Sequence, residues 1–329
     1  MRLKLKIEQI LFSPKNFLDK TIIVVLSPFS VVYCSVIFFR ASFLTYFGSI
    51  FYKKLHQNIK NSNLKIIGIG NLTLGGNGKT PLTIKLIEEL KTQNSNLKIA
   101  ILLRGYGRIS KGLLIVSQNG KILEDVNNSG DEAFLFAKKL AHLKIAVIVS
   151  EDRTLGIQKA IELDTNILFL DDSFSKHHIP KKEILILDNS QNLNKLCLPA
   201  GAYREKLWFF KKNILTIQEN IDFERIIKIE NLTSNMLLIT AISKPQRVEK
   251  YLKQLEKNII NRVYFEDHYS FTKTEIEKIL NSQNKKIDSI LTTEKDLVKL
   301  ENLKLDTVKF SLMRLDLKFK NSRILDFIK

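Results

Sequence analysis

The stretch GIGNLTLGGNGKTP at residues 68–81 decides the fold of this chain. Residues 73–80 within it form a phosphate-binding loop pattern, in which Thr73 stands where the usual first glycine is expected. Glycines let successive backbone N–H groups turn toward phosphate oxygens, a lysine reaches the β- and γ-phosphates, and a Ser or Thr holds magnesium. We therefore predict a triphosphate site with Lys79 on the phosphates and Thr80 on Mg²⁺. Its members are Thr73, Leu74, Gly75, Gly76, Asn77, Gly78, Lys79 and Thr80.

The flanking sequence supports this interpretation over two alternatives. An apolar strand pattern precedes the loop and a helical pattern follows it, so the N-terminal dipole of the helix would face the phosphates. Pro81 falls in the first helical turn, where a missing N–H costs nothing. A plain glycine-rich turn does not need the Lys-Thr pair. The overlapping GIGNLT lacks the third glycine of a dinucleotide-binding fingerprint.

Short apolar runs alternate with helical periods along the rest of the chain. Strands are predicted at residues 64–70, 98–104, 146–150, 166–172 and 184–188, and helices at 81–94, 130–143 and 151–163. Asn119-Gly120 marks a hairpin. The alternation indicates an α/β fold, a doubly wound sheet like that of P-loop NTPases. The predicted organisation is an N-terminal membrane-associated segment (1–60), a P-loop domain (61–204), connecting strands (205–235) and a smaller α/β domain (236–329).

Composition restricts the partners and the compartment. The chain has 329 residues and a net charge of +18, which suits nucleic acid, anionic lipid or polyphosphate ligands. No basic stripe interleaved with aromatic residues occurs, so no nucleic-acid partner is expected. The two cysteines, Cys34 and Cys197, fall in different regions, which indicates neither a disulfide framework nor a zinc cluster. A reducing compartment is expected.

Residues 21–39 form an uncharged run of 19 residues, about the length that spans a bilayer core. Basic residues flank the run on both sides, which conflicts with the positive-inside tendency of a spanning helix, and Pro28 would kink a straight helix. We therefore expect the segment to lie in the membrane interface, with Lys and Arg on anionic head groups. The alternatives are a spanning helix, a buried core helix and a signal peptide, although no clear cleavage pattern follows.

Acidic residues follow two of the predicted elements. Asp171 and Asp172 end an apolar strand, where a P-loop protein places its magnesium-binding carboxylate, and the alternative is a cap on the following turn. Asp131 and Glu132 begin a helix, where a capping carboxylate is common.

Further polar residues stand near predicted strand ends. His268 in FEDHYSF is a candidate acid–base group or phosphate contact. The alternative is an ordinary polar histidine on the surface. Three arginines are candidate phosphate ligands: Arg104 and Arg108 in RGYGR, and Arg204 in GAYRE. The alternative is that they lie in ordinary solvated loops. Thr293 and Glu294 in LTTEKD are candidate helix caps.

The ordered set of motifs resembles one family, the tetraacyldisaccharide 4'-kinases of lipid A biosynthesis. The resemblance covers most of the chain, and the family's P-loop also has Thr at the first glycine position. The motifs are GNLTLGGNGKTP, LLRGYGR, GDEAF, LDDSF, LPAGAYRE, EDHYSF and LTTEKD.

The resemblance implies a reaction and a place for it. The enzyme would transfer the γ-phosphate of ATP to the 4'-hydroxyl of an acylated glucosamine disaccharide phospholipid, tetraacyldisaccharide 1-phosphate, at the cytoplasmic leaflet of the inner membrane.

It also implies roles for single residues. Asp131 would be the base, supported by His268, and Lys79 would neutralise phosphate charge. Thr80, Glu132, Asp171 and Asp172 would serve Mg²⁺, and Arg104, Arg108 and Arg204 would line the substrate cleft.

The chain departs from the family pattern after the aspartate pair. The family commonly reads Asp-Asp-Gly-Phe-Gln-His, whereas this chain reads DDSFSKHH at 171–178, with Ser173 in place of glycine. A different class of protein, a membrane-associated ATPase or GTPase acting as a switch or assembly factor, shares the P-loop and the strand-end aspartates. Such a GTPase reads guanine with an Asn/Thr-Lys-x-Asp strand end, and TEKD at 293–296 departs from that pattern at Glu294.

Overall fold

The predicted alternation of strands and helices is confirmed in a computed structural model, which describes residues 7, 9–188, 194–209, 213–242, 245–252, 258–305 and 308–329. Three of the basic residues on the N-terminal side of the apolar run 21–39, namely Arg2, Lys4 and Lys6, lie outside the described residues. The helices are α1 (Phe17–Phe51), α2 (Lys53–Asn61), α3 (Lys79–Gln93), α4 (Val126–Ser129), α5 (Asp131–Lys139), α6 (Arg153–Glu162), α7 (Pro245–Leu252), α8 (Lys273–Asn281), α9 (Glu294–Leu300) and α10 (Arg323–Ile328). The strands are β1 (Lys65–Gly70), β2 (Ile99–Leu103), β3 (Leu114–Gln118), β4 (Lys121–Ile122), β5 (Ala146–Val149), β6 (Ile167–Asp171), β7 (Lys182–Leu187), β8 (Ile214–Gln218), β9 (Phe223–Glu230), β10 (Met236–Thr240), β11 (Ile259–Tyr264), β12 (Ser289–Thr293) and β13 (Lys309–Phe319).

The residues group into two compact units. The first unit consists of the described residues within 1–103, 152–224 and 319–329, and the second of those within 104–151 and 225–318. The segment predicted to connect two domains is divided, since β8 pairs with β7 and β9 belongs to a different sheet. The domain limits drawn from the sequence stay a prediction about separately folding parts.

A parallel sheet forms the centre of the first unit. Its strands lie in the order β2–β6–β1–β7–β8, and every neighbouring pair is parallel. β2 is buried at every position, which explains its unbroken run of apolar residues, as expected for a parallel strand covered on both faces. Because parallel strands end at the same edge, the order brings the acidic end of β6 beside the end of β1.

The second unit contains a hairpin and a second sheet. The predicted turn at Asn119-Gly120 joins the antiparallel strands β3 and β4, and both turn residues have positive φ. The second sheet has the order β11–β10–β12–β13–β9, with β11, β10, β12 and β13 parallel to one another. A small apolar cluster of Val126, Leu135 and Val298 packs α9 on α4 and α5.

Helix α1 is continuous through Pro28 and extends beyond the predicted apolar run at both ends. At 35 residues it is long and apolar enough to cross a membrane by length and composition, a test that signal sequences and core helices also pass. Only 6% of its most apolar window is buried, so the core-helix alternative does not fit. One narrow face packs on the protein, where the Ser30 hydroxyl donates to the Cys197 carbonyl at 2.7 Å.

The floor beneath the P-loop contains a buried carboxylate. Glu183 on β7 is 4% exposed and lies opposite Gly68 of β1. A Cβ at Gly68 would collide with the Glu183 carboxylate and the Ser173 hydroxyl, and one at Gly70 would lie 2.7 Å from Glu183 Oε1. β1 therefore needs glycine at these positions because the neighbouring strand carries an acidic side chain there.

We expect Gly68→Ala to destabilise the protein by about 1–3 kcal/mol, the usual cost of overpacking a well-packed interior. The free energy of unfolding in urea, measured in detergent, checks this. Ser173→Gly in the same chain removes one of the two colliding groups, so the double variant should recover part of the loss. An unchanged free energy of unfolding in Gly68→Ala would contradict the described packing.

Candidate active site

The loop between β1 and α3 has the backbone that a phosphate site needs. Gly75 and Gly78 have φ of 87° and 90°, in the left-handed region that favours glycine. Thr73 does not take that conformation, so glycine is not required there. Its buried side chain instead accepts a 3.1 Å hydrogen bond from the Asn77 amide, which ties the two ends of the loop together.

An ionic cluster surrounds Asp172 at the end of β6. Its Oδ1 lies 3.3 Å from Lys79 Nζ, and its two oxygens accept from the Arg204 guanidinium at 3.0 and 3.2 Å. Burial opposes ionisation of this carboxylate, but the charge of Lys79 and the contacts of Arg204 outweigh it and lower the pKa of Asp172. We call Lys79, Asp172 and Arg204 the P-loop cluster.

Residues 202–204 hold the P-loop from one side. The backbone N–H of Arg204 donates to Leu72 and that of Leu74 donates to Ala202, both through 2.8–2.9 Å bonds. Asn71 completes the contact, since its Oδ1 accepts from Lys79 at 3.1 Å and from Arg204 at 2.7 Å. Sequence reasoning missed Asn71, although it lies in the quoted GIGNLT, because a lone Asn before a glycine-rich loop signals only a turn.

A second cluster, in the other unit, is built around Asp131. This carboxylate begins α5, is 7% exposed, and lies 3.0 and 3.1 Å from His268 Nδ1. Asp131 also accepts from the backbone N–H of Glu132 at 2.8 Å. Burial opposes its ionisation, but the His268 hydrogen bond and nearby lysines outweigh it and lower the pKa of Asp131. The two residues that the family resemblance paired are thus in direct contact.

Two lysines of α9 complete this cluster, and sequence reasoning missed both. Lys295 Nζ lies 3.8 Å from Asp131, 3.5 Å from Glu132 and 3.2 Å from Asp267. Lys299 Nζ lies 3.7 Å from Asp131 Oδ2. The signal for Lys295 was present in LTTEKD, where Thr293 and Glu294 drew attention as caps. Thr293 is indeed the N-cap of α9, since its side chain accepts from Asp296 N–H.

The other candidate residues take different positions. Arg104 is exposed at the end of β2. The side chain of Arg108 is 1% exposed, and its guanidinium donates to Glu151 at 2.6 Å and to the Gly112 carbonyl, so it braces its own loop. Asp171 pairs with Ile69 in the sheet register, and its carbonyl accepts from Arg153 at 2.9 Å.

Three residues of the stretch that departs from the family pattern have partners in the structure. Ser173 is fully buried and its hydroxyl lies 2.8 and 3.0 Å from the two Glu183 oxygens. His177 Nε2 lies 2.8 Å from Glu205 Oε2. The His178 ring stacks on Tyr52 at a centroid distance of 4.2 Å.

The glycine loop between a buried parallel strand and a helix, with an aspartate at the neighbouring strand end, defines a P-loop α/β protein. The family model described as tetraacyldisaccharide-1-P 4'-kinase (LpxK) matches residues 22–224 and 215–329. The chain therefore belongs to the tetraacyldisaccharide-1-P 4'-kinase family, and the predicted resemblance is confirmed.

Similar proteins extend over nearly the whole chain. A tetraacyldisaccharide 4'-kinase of Aliarcobacter butzleri is 43% identical over 99% of this chain and 96% of its own length. One of Campylobacter jejuni is 36% identical over 97% of this chain and 93% of its own. The crystal structure of LpxK from Aquifex aeolicus in complex with ATP superposes with a TM-score of 0.66 at 25% identity, covering 93% of this chain and 98% of that one. The predicted fold class is thereby confirmed.

The buried Glu183 gives the P-loop floor a pH dependence. Burial raises the pKa of Glu183 to about 7, from an ordinary value of 4.5, while Lys181 at 3.5 Å and Ser173 oppose the rise. Between these two pH values the folded chain keeps a proton that the unfolded chain releases. This contribution to stability is therefore present below pH 4.5 and is lost as pH rises to about 7.

We expect Glu183→Gln to flatten the dependence of stability on pH between 5 and 7, because glutamine has no proton to lose. The effect is at most about 3 kcal/mol, since one pKa unit corresponds to about 1.4 kcal/mol. Urea unfolding at pH 5, 6, 7 and 8 measures it. The control is Glu89→Gln, a surface residue paired with Lys85, which should follow the wild-type slope. An equal slope in Glu183→Gln would exclude this titration.

Proposed function

We propose that this chain transfers the γ-phosphate of ATP to the 4'-hydroxyl of tetraacyldisaccharide 1-phosphate, giving lipid IVA in lipid A biosynthesis. Membership of the kinase family supports the reaction class, and the relatives' names support the substrate. The observation that carries the proposal is the hydrogen bond between the buried Asp131 carboxylate and His268. A kinase needs such a carboxylate to accept a hydroxyl proton, whereas a switch NTPase does not.

The P-loop is proposed to bind the phosphate groups of the donor. The ATP complex of the Aquifex aeolicus structure supports ATP as the donor. Lys79 is held by Asn71 and Asp172, so its ammonium is placed beside the loop at 3.1 and 3.3 Å from these partners. We infer that it neutralises charge on the transferred phosphate, which is the main requirement of phosphoryl transfer.

Asp131 is proposed to accept the proton of the substrate hydroxyl. Its lowered pKa keeps it ionised and therefore able to accept a proton at neutral pH. A positioned base contributes typically about 10²–10⁴-fold to a rate. Nδ1 of His268 lies within hydrogen-bond distance of both Asp131 oxygens. The orientation of the carboxylate is therefore set by this side chain as well as by its place at the start of α5.

Magnesium is proposed as the ion of this reaction, and the donor set fits it. Thr80 offers a hydroxyl, and Asp171 and Asp172 offer carboxylates, the oxygen ligands that Mg²⁺ prefers. Within the described part of the chain, no three His, Cys, Asp or Glu side chains form a complete metal cage. Phosphate oxygens and water would therefore fill the remaining positions, as is usual for Mg²⁺. When bound, the ion would neutralise phosphate charge. A metal role for Glu132 is also proposed.

The arginines divide by their surroundings. Arg104 is the candidate for the anionic head group, since its side chain is exposed at the end of β2. Arg108 and Arg204 stay candidates for the substrate cleft, yet their contacts with Glu151 and Asp172 favour holding loops in place.

We propose that α1 keeps the enzyme on the cytoplasmic face of the inner membrane, where ATP and the acylated lipid are both accessible. Large apolar side chains on most of the helix are exposed, including Val24, Val25, Phe29, Val32 and Phe39. Burying such side chains in lipid is favourable by about 1.5–3 kcal/mol each. The net charge of +18 favours an anionic leaflet.

The proposal is tested by transfer of labelled γ-phosphate from ATP to tetraacyldisaccharide 1-phosphate in detergent micelles. We expect Lys79→Ala to abolish measurable transfer, and Asp131→Asn to lower kcat by about 10²–10⁴-fold, because the base is removed with little change of shape. Asp125→Asn is the matched control. Asp125 is a capping carboxylate, which accepts from the Asn128 N–H at 2.8 Å, so its loss should cost stability and leave kcat near wild type.

ATP hydrolysis without lipid product, insensitive to Asp131→Asn, would refute the kinase proposal and favour a switch ATPase. A loss of kcat in Asp125→Asn equal to that in Asp131→Asn would assign Asp131 to capping alone.

A further inference from the structure

His268 lies between an acid and a cation. Its Nδ1 is 3.0 Å from Asp131 Oδ2, and its Nε2 is 3.2 Å from Lys295 Nζ. Asp267 is the other charged group near Nε2, at 3.9 Å, which is beyond hydrogen-bond distance. The two ring nitrogens therefore face groups of opposite hydrogen-bonding character.

We propose that Lys295 is a positioning residue that holds His268 as the neutral tautomer with its proton on Nδ1, so that the ring donates to Asp131 and accepts from Lys295. A lysine ammonium has three donors and no acceptor, so the nitrogen facing it must supply a lone pair. An ionised carboxylate is an acceptor only, so the nitrogen facing Asp131 must carry the proton. The two contacts select one of the three protonation states of the ring.

The other two states leave a repulsive contact. If the proton were on Nε2 alone, the lone pair of Nδ1 would face a lone pair of the Asp131 carboxylate, and the two acceptors would repel each other. A doubly protonated ring would direct its Nε2 proton at an ammonium group. Lys295 Nζ lies 3.2 Å from Asp267, 3.5 Å from Glu132 and 3.8 Å from Asp131, and three carboxylates around one amine favour its ammonium form.

The surrounding chain fixes both partners. His268 has φ of 63°, a left-handed conformation that is uncommon for a residue other than glycine, and the Tyr106 ring lies 4.8 Å from its ring. Lys295 stands in the first turn of α9, beside Glu294, which pairs with Lys139 at 2.7 Å. His268 is thus in contact with a ring of the same unit, and Lys295 belongs to a helix that is itself held by an ion pair.

This inference rests on the proposed function where it concerns the proton. With Nε2 occupied by Lys295, the ring has no free lone pair for a substrate hydroxyl. The hydroxyl proton therefore goes to a carboxylate oxygen of Asp131 as the new O–P bond forms and the bond between the γ-phosphorus and the leaving ADP oxygen breaks. His268 keeps its own proton and orients the base.

The tautomer is measured directly by NMR on protein labelled with ¹⁵N-histidine in detergent micelles. The chain has five histidines, and a His268→Gln spectrum assigns the signals of His268. We expect Nδ1 to resonate as a protonated nitrogen and Nε2 as an unprotonated one at pH 7. A protonated Nε2 in the wild-type protein would overturn the proposal without any variant.

Two lysine variants separate positioning from general charge. In Lys295→Met, Nε2 loses its donor, and we expect its signal to move toward that of a protonated nitrogen. Lys299→Met is the matched control, since Lys299 also lies near Asp131 but, among the described residues, has no recorded contact with the His268 ring. Its His268 signals should stay at the wild-type positions. Lys295→Arg should keep them too, because arginine is also a donor only.

Kinetics supply the second readout. We expect kcat for lipid phosphorylation to fall roughly ten- to hundredfold in Lys295→Met, part of the contribution of a positioned base, and to recover largely in Lys295→Arg. His268 signals that do not move in Lys295→Met would refute the role of Lys295, whatever the activity. If the tautomer is as stated but no lipid product forms in the wild-type protein, the proposed function fails while the assignment of Lys295 stands.

Discussion

The contact of Lys79 and Arg204 with Asp172 is the interaction on which the first unit depends. It joins the P-loop, the end of β6 and the segment that follows Cys197. That segment is also the support of α1, whose Ser30 and Tyr33 side chains donate to the carbonyls of Cys197 and Arg204 at 2.7 and 3.3 Å. The same short stretch thus contacts helix α1 on one side and the glycine-rich loop on the other. A carboxylate lying between two cations also stays ionised.

Local pattern predicted much of the fold. Four strands of the first parallel set, β1, β2, β6 and β7, follow from apolar runs, and the hairpin at Asn119-Gly120 follows from its turn residues. The fifth strand, β8, lies in the segment that was predicted to connect two domains. The pairing of Asp131 with His268 came from resemblance, because 137 residues separate them and spacing carries no such information. The roles of Asn71 and Lys295 were missed for a related reason. A single lysine on a helix is usually solvated, and only tertiary structure places its ammonium beside three carboxylates.

The departure at Ser173 has a physical explanation that the sequence did not reveal. Glycines at 68 and 70 leave space next to β1, and Glu183 fills it with a carboxylate that would otherwise lack a hydroxyl donor. Burying an ionisable group without partners costs several kcal/mol, so a hydroxyl at 173 and the ammonium of Lys181 offset part of that cost. Serine is therefore compatible with the close approach of these strands, and its hydroxyl faces Glu183 and Gly68 of β1, the strand that precedes the P-loop.

For the proposed role of Asp131 as the base, the surrounding residues favour a fixed orientation of the carboxylate over a high pKa. His268 and the two lysines lower the pKa of this carboxylate, which weakens it as a proton acceptor. In a loose phosphoryl-transfer transition state, the bond between the attacking oxygen and phosphorus has barely formed. The hydroxyl proton therefore becomes acidic only late in the reaction, and a stronger base would increase the rate little. A carboxylate that is always ionised and held at a fixed angle is then more useful than one with a pKa near neutrality. Lys295 contributes to both properties, because it supplies charge to Asp131 and a donor to the histidine that orients it.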